Sequence, residues 1–163
     1  MPTGLPSRTV NRPTVINTSM LLCLIARDRQ NPSGVIDSYD LYDEIAANLW
    51  FLHSENGWGP LILRADKKEC RLVNTWWALR ALCQYGYSER EEEGSDFRQL
   101  LVGIYEKNRN GTFGFSSSDA PRLTVTSMYL LLYYELPRAL REEISRDYDP
   151  RAAAAAEKFG IGF

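Results

Sequence analysis

The chain has 163 residues, enough for one domain with a sizeable core or for a piece of a larger repetitive one. Charged residues make up 25% of it, the formal net charge is −2 and the basic residues do not gather in one block, so it carries no electrostatic footprint for nucleic acid or an anionic membrane. Its three cysteines, Cys23, Cys70 and Cys83, are odd in number and lack C-x-x-C spacing, which argues against a disulfide framework or a zinc ribbon and fits reduced thiols in a cytoplasmic protein.

The opening "MPTGLPSRTVNRPT" has no apolar h-region, and the apolar run at "SMLLCLIA" is too short to span a bilayer. Residues 1–12 read as a flexible segment before a single helical domain, 13–163. A first helix is expected over 13–29, begun by Pro13, with Ile16, Met20, Leu21, Leu24 and Ile25 at helical spacing and Asn31, Pro32 and Gly34 to stop it. A second fits 38–54, with Leu41, Ile45, Leu49 and Leu52 on one stripe and Asp40, Asp43 and Glu44 near the positive end of the helix dipole. It runs into the turn "ENGWG". A third covers about 72–85, with Gly86 placed to terminate it, and a charged loop, "YSEREEEG", follows. Asp96 with Gln99 resembles a capping box opening a fourth helix over 96–107. "NGTFGF" is the one stretch suited to a short hairpin. Further helices are expected over 122–135 and from Pro137 through "PRALREEISRDY", and Asp149 with Pro150 would open a last, alanine-rich one.

Laid against itself, the chain repeats. "NTSMLLCLI", "NTWWALRAL" and "VTSMYLLLY" each place a threonine before an apolar helix, and Thr18, Thr75 and Thr126 lie 57 and 51 residues apart. Between them run "NGWG", "NGTFG" and, at 158–163, "KFGIGF", each after the end of a helix. The unit is a threonine helix, a connection, a second helix and a glycine–aromatic–glycine turn built on Gly57, Trp58 and Gly59 or on Gly111, Phe113 and Gly114. Three copies make an array of αα-hairpins.

This pattern resembles the repeats of the squalene-hopene cyclase and protein prenyltransferase families. The turns stand where those families carry the end of a QW-like motif, although Ser54 and Glu55 occupy the place of its glutamine. The resemblance covers about 13–163 and implies an all-α fold in which three αα-hairpins form part of an α/α toroid, threonine helices innermost. Three hairpins are fewer than a closed ring uses, so an open arc, a fragment, or a subunit completed by a partner or by its own kind is expected, since uncapped repeat ends expose apolar faces.

Inner-helix aromatics line the cavity in the cyclases, where their faces stabilise carbocations, and the equivalent positions here are Trp76, Trp77, Tyr129, Tyr133 and Tyr134, with Arg80 among them. Helical aromatics are more often core. The threonines, with Asn17 and Asn74, are expected to tie down backbone groups at the turns rather than bind a ligand. A class II cyclase needs D-x-D-D, an acid held protonated to attack an alkene; only Asp147 and Asp149 in "DYDP" approach it, and Asp149 is already placed as a cap. A prenyltransferase needs zinc on Asp, Cys and His to activate a thiol; His53, Asp66 and Cys70 are the available ligands, in the wrong order and spacing. His53 at a helix C-terminus favours the dipole role, and Cys23 and Cys83 read as core thiols. No cofactor is called for. The connection "PLILRADKKECR", with Arg64, Lys67, Lys68 and Arg71, is the expected interaction surface, because insertions in repeat arrays gather on binding faces. With the repeat retained and each catalytic signature missing, the expectation is a non-catalytic interaction or sensing module that binds a protein partner, itself, or an apolar or isoprenoid ligand. The competing expectation is an arc of a terpenoid cyclase or prenyltransferase whose acid or metal lies elsewhere.

Overall fold

The computed structural model describes residues 14–60, 70–107, 113–114, 122–145, 148 and 150–151. The described residues are all-α, with no strand and one isolated bridge, between Ser54 and Gly57. None of the described helices is long and apolar enough to cross a membrane.

α1, Val15–Gln30, begins where the Thr14 hydroxyl accepts the Asn17 N–H at 3.2 Å, a cap that satisfies one of the first-turn donors, and it ends at Asn31 with Arg27 and Arg29 in its last turn. Its apolar face is not the one its periodicity suggests. Val15, Ser19, Leu22, Ile25 and Ala26 are buried, whereas Met20, Leu21 and Leu24 face solvent. α2, Asp40–Phe51, is shorter than the 38–54 stripe implies, and it buries Ala46 and Leu49 while Leu41 stays exposed. α3, Leu72–Gln84, is enclosed on most sides, and Gly86 ends it in the left-handed region at φ 87°, its N–H donating to Cys83 O at 3.0 Å.

A 3₁₀ turn, Tyr87–Glu89, occupies what reads in sequence as a charged loop. α4, Glu93–Glu106, starts three residues before the expected capping box, so Asp96 lies within the helix and caps nothing. Packing sets this start. Gly94 lies so close to the 3₁₀ turn that an added Cβ would come within 3.2 Å of Ser88 O and Tyr87 O. α5, Leu123–Glu135, and α6, Arg138–Ile144, follow, the latter opened by Pro137 and shorter than its sequence signal. Beyond it only Pro150 and Arg151 of the alanine-rich stretch are described, and both are helical.

α1, α3 and α5 stand side by side, α3 in the middle, while α4 packs on α6. The row points one way. Arg29 near the C-terminus of α1 lies 4.9 Å from the ring of Tyr85, just past the C-terminus of α3. Along α3 and α5 the bonds advance together, Trp76 Nε1 donating to Met128 O and Arg80 gripping Glu135 with Nε and Nη2 at 2.6 and 2.7 Å. Arg29 also pairs with Asp43 at 3.1 Å and faces the Tyr39 ring, while Tyr85 OH donates to the same carboxylate at 2.8 Å, which draws α1, α2 and α3 together at that end.

Candidate interaction site

The first glycine–aromatic turn is built from the end of α2. Ser54 and Gly57 exchange backbone hydrogen bonds at 2.9 and 3.0 Å, and Gly57 reverses the chain at φ 102°. Here glycine is required twice over, since a Cβ at Gly57 would sit 2.1 Å from Thr75 Oγ1. That closeness lets the Trp58 N–H donate to the Thr75 hydroxyl at 3.0 Å, while the Arg71 N–H donates to Trp58 O at 3.2 Å. The Trp58 indole is fully buried and its Nε1–H donates to Leu49 O at 2.7 Å, fastening the turn to α2. Lys107, at the end of α4, reaches Glu55 O and Asn56 Oδ1 at 3.3 and 3.0 Å.

The second turn repeats the same device. The Phe113 N–H donates to Thr126 Oγ1 at 3.0 Å and the Arg122 N–H donates to Phe113 O at 2.7 Å. Phe113 stacks on Tyr129 with centroids 4.1 Å apart and planes 4° from parallel, and Tyr105 and Tyr148 close the cluster at 5.7 and 6.2 Å. Thr18 is the third threonine of the series. It is half-buried, and among the described residues no N–H is seated on its hydroxyl. The asparagines do not share the tying-down role: Asn17 is exposed and the buried Asn74 Nδ2 has no partner among the described residues.

The residues expected along a cavity are used inside the helix row. Tyr129 is fully buried with its OH donating to Leu72 O at 2.8 Å, and its own carbonyl accepts Tyr105 OH at 2.6 Å. Burial holds both phenols well above their ordinary pKa. Trp76 and Tyr133 are buried, Trp77 is half-buried edge-on to Trp76 at 4.9 Å, and the Glu135 hydrogen bonds raise the pKa of Arg80. Tyr134 alone of this set is exposed. Tyr105 and Tyr148 are anchors that sequence reasoning passed over, and Tyr148, the tyrosine of "DYDP", sits at the centre of the second cluster.

Among the described residues no group of three His, Cys, Asp or Glu side chains is placed to hold a metal. His53 stacks on Trp50 at 3.8 Å with Nδ1 2.5 Å from Trp50 O, which makes Nδ1 the donor, and Cys70 Sγ lies 3.2 Å from Ser54 Oγ and 3.5 Å from Gly57 O. Both serve the first turn. Burial raises the Cys23 thiol, with Arg80 opposing, and pushes Cys83 up to about 11. Arg71 is exposed and stands at the N-cap position of α3, its side chain making no cap hydrogen bond. Arg64, Asp66, Lys67, Lys68, Gly111, Asp147 and Asp149 lie outside the described residues.

An open groove of about 500 Å³ runs between the 3₁₀ turn and α6, lined by Ser88, Glu89, Arg98, Leu140, Glu142 and Glu143 among others. Arg98 is engaged there with Ser88 O at 3.0 Å. None of the residues singled out from the sequence lines it. Comparison of the chain with family models, with curated proteins and with solved structures finds no match.

Proposed function

We propose that the chain is a non-catalytic interaction or sensing module built from helical-hairpin repeats of the prenyltransferase and squalene-cyclase kind, with α1, α3 and α5 as the inner row of an open arc. The carrying observation is the duplicated contact: two glycine–aromatic segments, each seated through the backbone N–H of its aromatic residue on the threonine of the following inner helix at 3.0 Å. The polar atoms of Trp76, Arg80 and Tyr129 are engaged between inner helices, which favours a structural over a catalytic use of that wall. A cytoplasmic setting and a protein or apolar partner belong to the same proposal.

The rival reading, an arc of a terpenoid cyclase or prenyltransferase, predicts chemistry. Incubating the protein with labelled isoprenoid diphosphates and with squalene, each with and without zinc or magnesium, is expected to return the substrates unchanged. Enzyme-dependent product in any of these mixtures would overturn the proposal.

A further inference from the structure

The row α1, α3, α5 has two open ends, and each presents apolar side chains to solvent. On α1 the face opposite Val15, Ser19, Leu22 and Ala26 carries Met20, Leu21 and Leu24, exposed by 47%, 38% and 63%. On α5 the face opposite Val125, Tyr129 and Leu132 carries Leu123, Leu131 and Tyr134, each more than half exposed. Leu24 lies three and four residues after Leu21 and Met20, and Leu131 lies eight after Leu123 and three before Tyr134, the spacing of a helix face that packs on another helix. Exposed apolar stripes of this kind on two elements mark surfaces made for covering.

We propose that the chain docks head to tail with a second copy of itself, the α5 face of one copy against the α1 face of the next. Two observations select this occupant. The first is geometric: α3 already accepts a like-directed helix on each side, so α5 of another copy set beside α1 continues the same row in the same direction. The second is the hydroxyl of Thr18. Thr75 and Thr126 each hold the N–H of a glycine–aromatic turn, whereas Thr18 holds none among the described residues. A second copy set in this way brings the α5 face alongside α1, where the Thr18 hydroxyl stands open to it; the third glycine–aromatic stretch of the sequence, "KFGIGF", lies outside the described residues. Such an interface is heterologous, joining two different patches, and it closes into a ring or runs on as a chain of copies. This inference rests on the helical-hairpin reading proposed above.

The test is sedimentation of the full chain over concentrations of about 1 µM to 1 mM, the range in which weak association shows itself. The wild type is expected to gain mass with concentration. Leu24→Glu on α1 and Leu123→Glu on α5 each spoil one face and are expected to stay monomeric. Their equimolar mixture is expected to return a heterodimer, because each variant keeps the face the other has lost. Thr18→Val, which keeps shape and removes the hydroxyl, is expected to weaken association about five-fold, the worth of one hydrogen bond. Both glutamates replace exposed side chains, so helical circular dichroism should match the wild type; if it does not, Leu24→Gln and Leu123→Gln carry the same test. A wild type that stays monomeric throughout overturns the docking, as does a mixture that forms no heterodimer. Isoprenoid turnover would sink the interaction-module reading without changing these masses, so the two failures are separable.

Discussion

The two stapled turns use one backbone device and two different anchors. At 3.0 Å each, Thr75 and Thr126 hold the amide of an aromatic residue, and an arginine N–H at the start of the same helix returns to that residue's carbonyl. What differs is where the aromatic points. Trp58 bonds back to Leu49 and locks its own hairpin, in a cluster with Trp50, His53 and Phe97. Phe113 instead lies flat on Tyr129, whose hydroxyl reaches Leu72 O, so the second aromatic packs where α5 is tied to α3. The comparison separates what the two segments share, an amide on a threonine, from what is particular to each, the aromatic partner.

The largest way to break the comparison is Gly57→Ala. It forces a side chain into a left-handed backbone at φ 102° and against Thr75 Oγ1, and a loss of about 4 kcal/mol in denaturant unfolding is expected. Adding Thr75→Ala should recover only part of that loss, because the backbone strain remains; full recovery would assign the whole effect to the clash.

Next come the aromatics themselves. Trp58→Ala and Phe113→Ala should each cost about 3–4 kcal/mol, as large-to-small core changes do. Trp58→Phe separates the turns further, since it leaves Leu49 O without its indole donor and is expected to cost about 1–2 kcal/mol. An unchanged melting midpoint for Trp58→Ala would remove the staple role.

Alkaline pH should distinguish the regions without mutation. Tyr105 and Tyr129 beside the second turn have folded pKa values raised by burial above the unfolded value near 10. A phenol whose folded pKa is raised contributes stability that is intact below the unfolded pKa and is lost as the pH climbs beyond it. Each should therefore remove about 1.4 kcal/mol per pH unit above 10. Tyrosinate absorbance followed with hydrogen exchange should show amides around Phe113 opening before those around Trp58; the reverse order would contradict the assignment of the two clusters.

The smallest effect sharpens the likeness rather than the difference. Thr75→Val and Thr126→Val each leave one amide without its acceptor and should cost about 1–2 kcal/mol, with Thr→Ser at either site close to neutral. Clearly unequal values in thermal unfolding would mean that the two hydroxyls do different jobs.

Helix positions were largely readable, because Pro, Asn and Gly punctuate the apolar runs and Gly86 stops α3 where its chemistry suggests. The pairing of threonine with turn was visible as a repeat, since both partners recur in the same order. Burial was less readable. Both sides of α1 are apolar, so periodicity selected Met20, Leu21 and Leu24 when the neighbouring stripe through Leu22 and Ala26 faces α3. The start of α4 was hidden because close packing of Gly94 on the 3₁₀ turn, and not a local cap, determines it. Sequence also does not reveal that Leu72 O and Met128 O accept the polar atoms of Tyr129 and Trp76, aromatics of α5 and α3.

The staple has a consequence for how such a chain can lengthen. Thr75 lies seventeen positions after Trp58 and Thr126 thirteen after Phe113, yet both amides meet their hydroxyls at the same 3.0 Å. The clasp, with the arginine N–H that returns to the aromatic carbonyl, is thus made across two different separations in sequence. Closing a longer loop adds only about 0.6 kcal/mol per doubling of length. A peptide inserted after Pro60, ahead of the Arg71 N–H that returns to Trp58 O, is therefore expected to leave the clasp intact, with an unfolding midpoint close to that of the wild type.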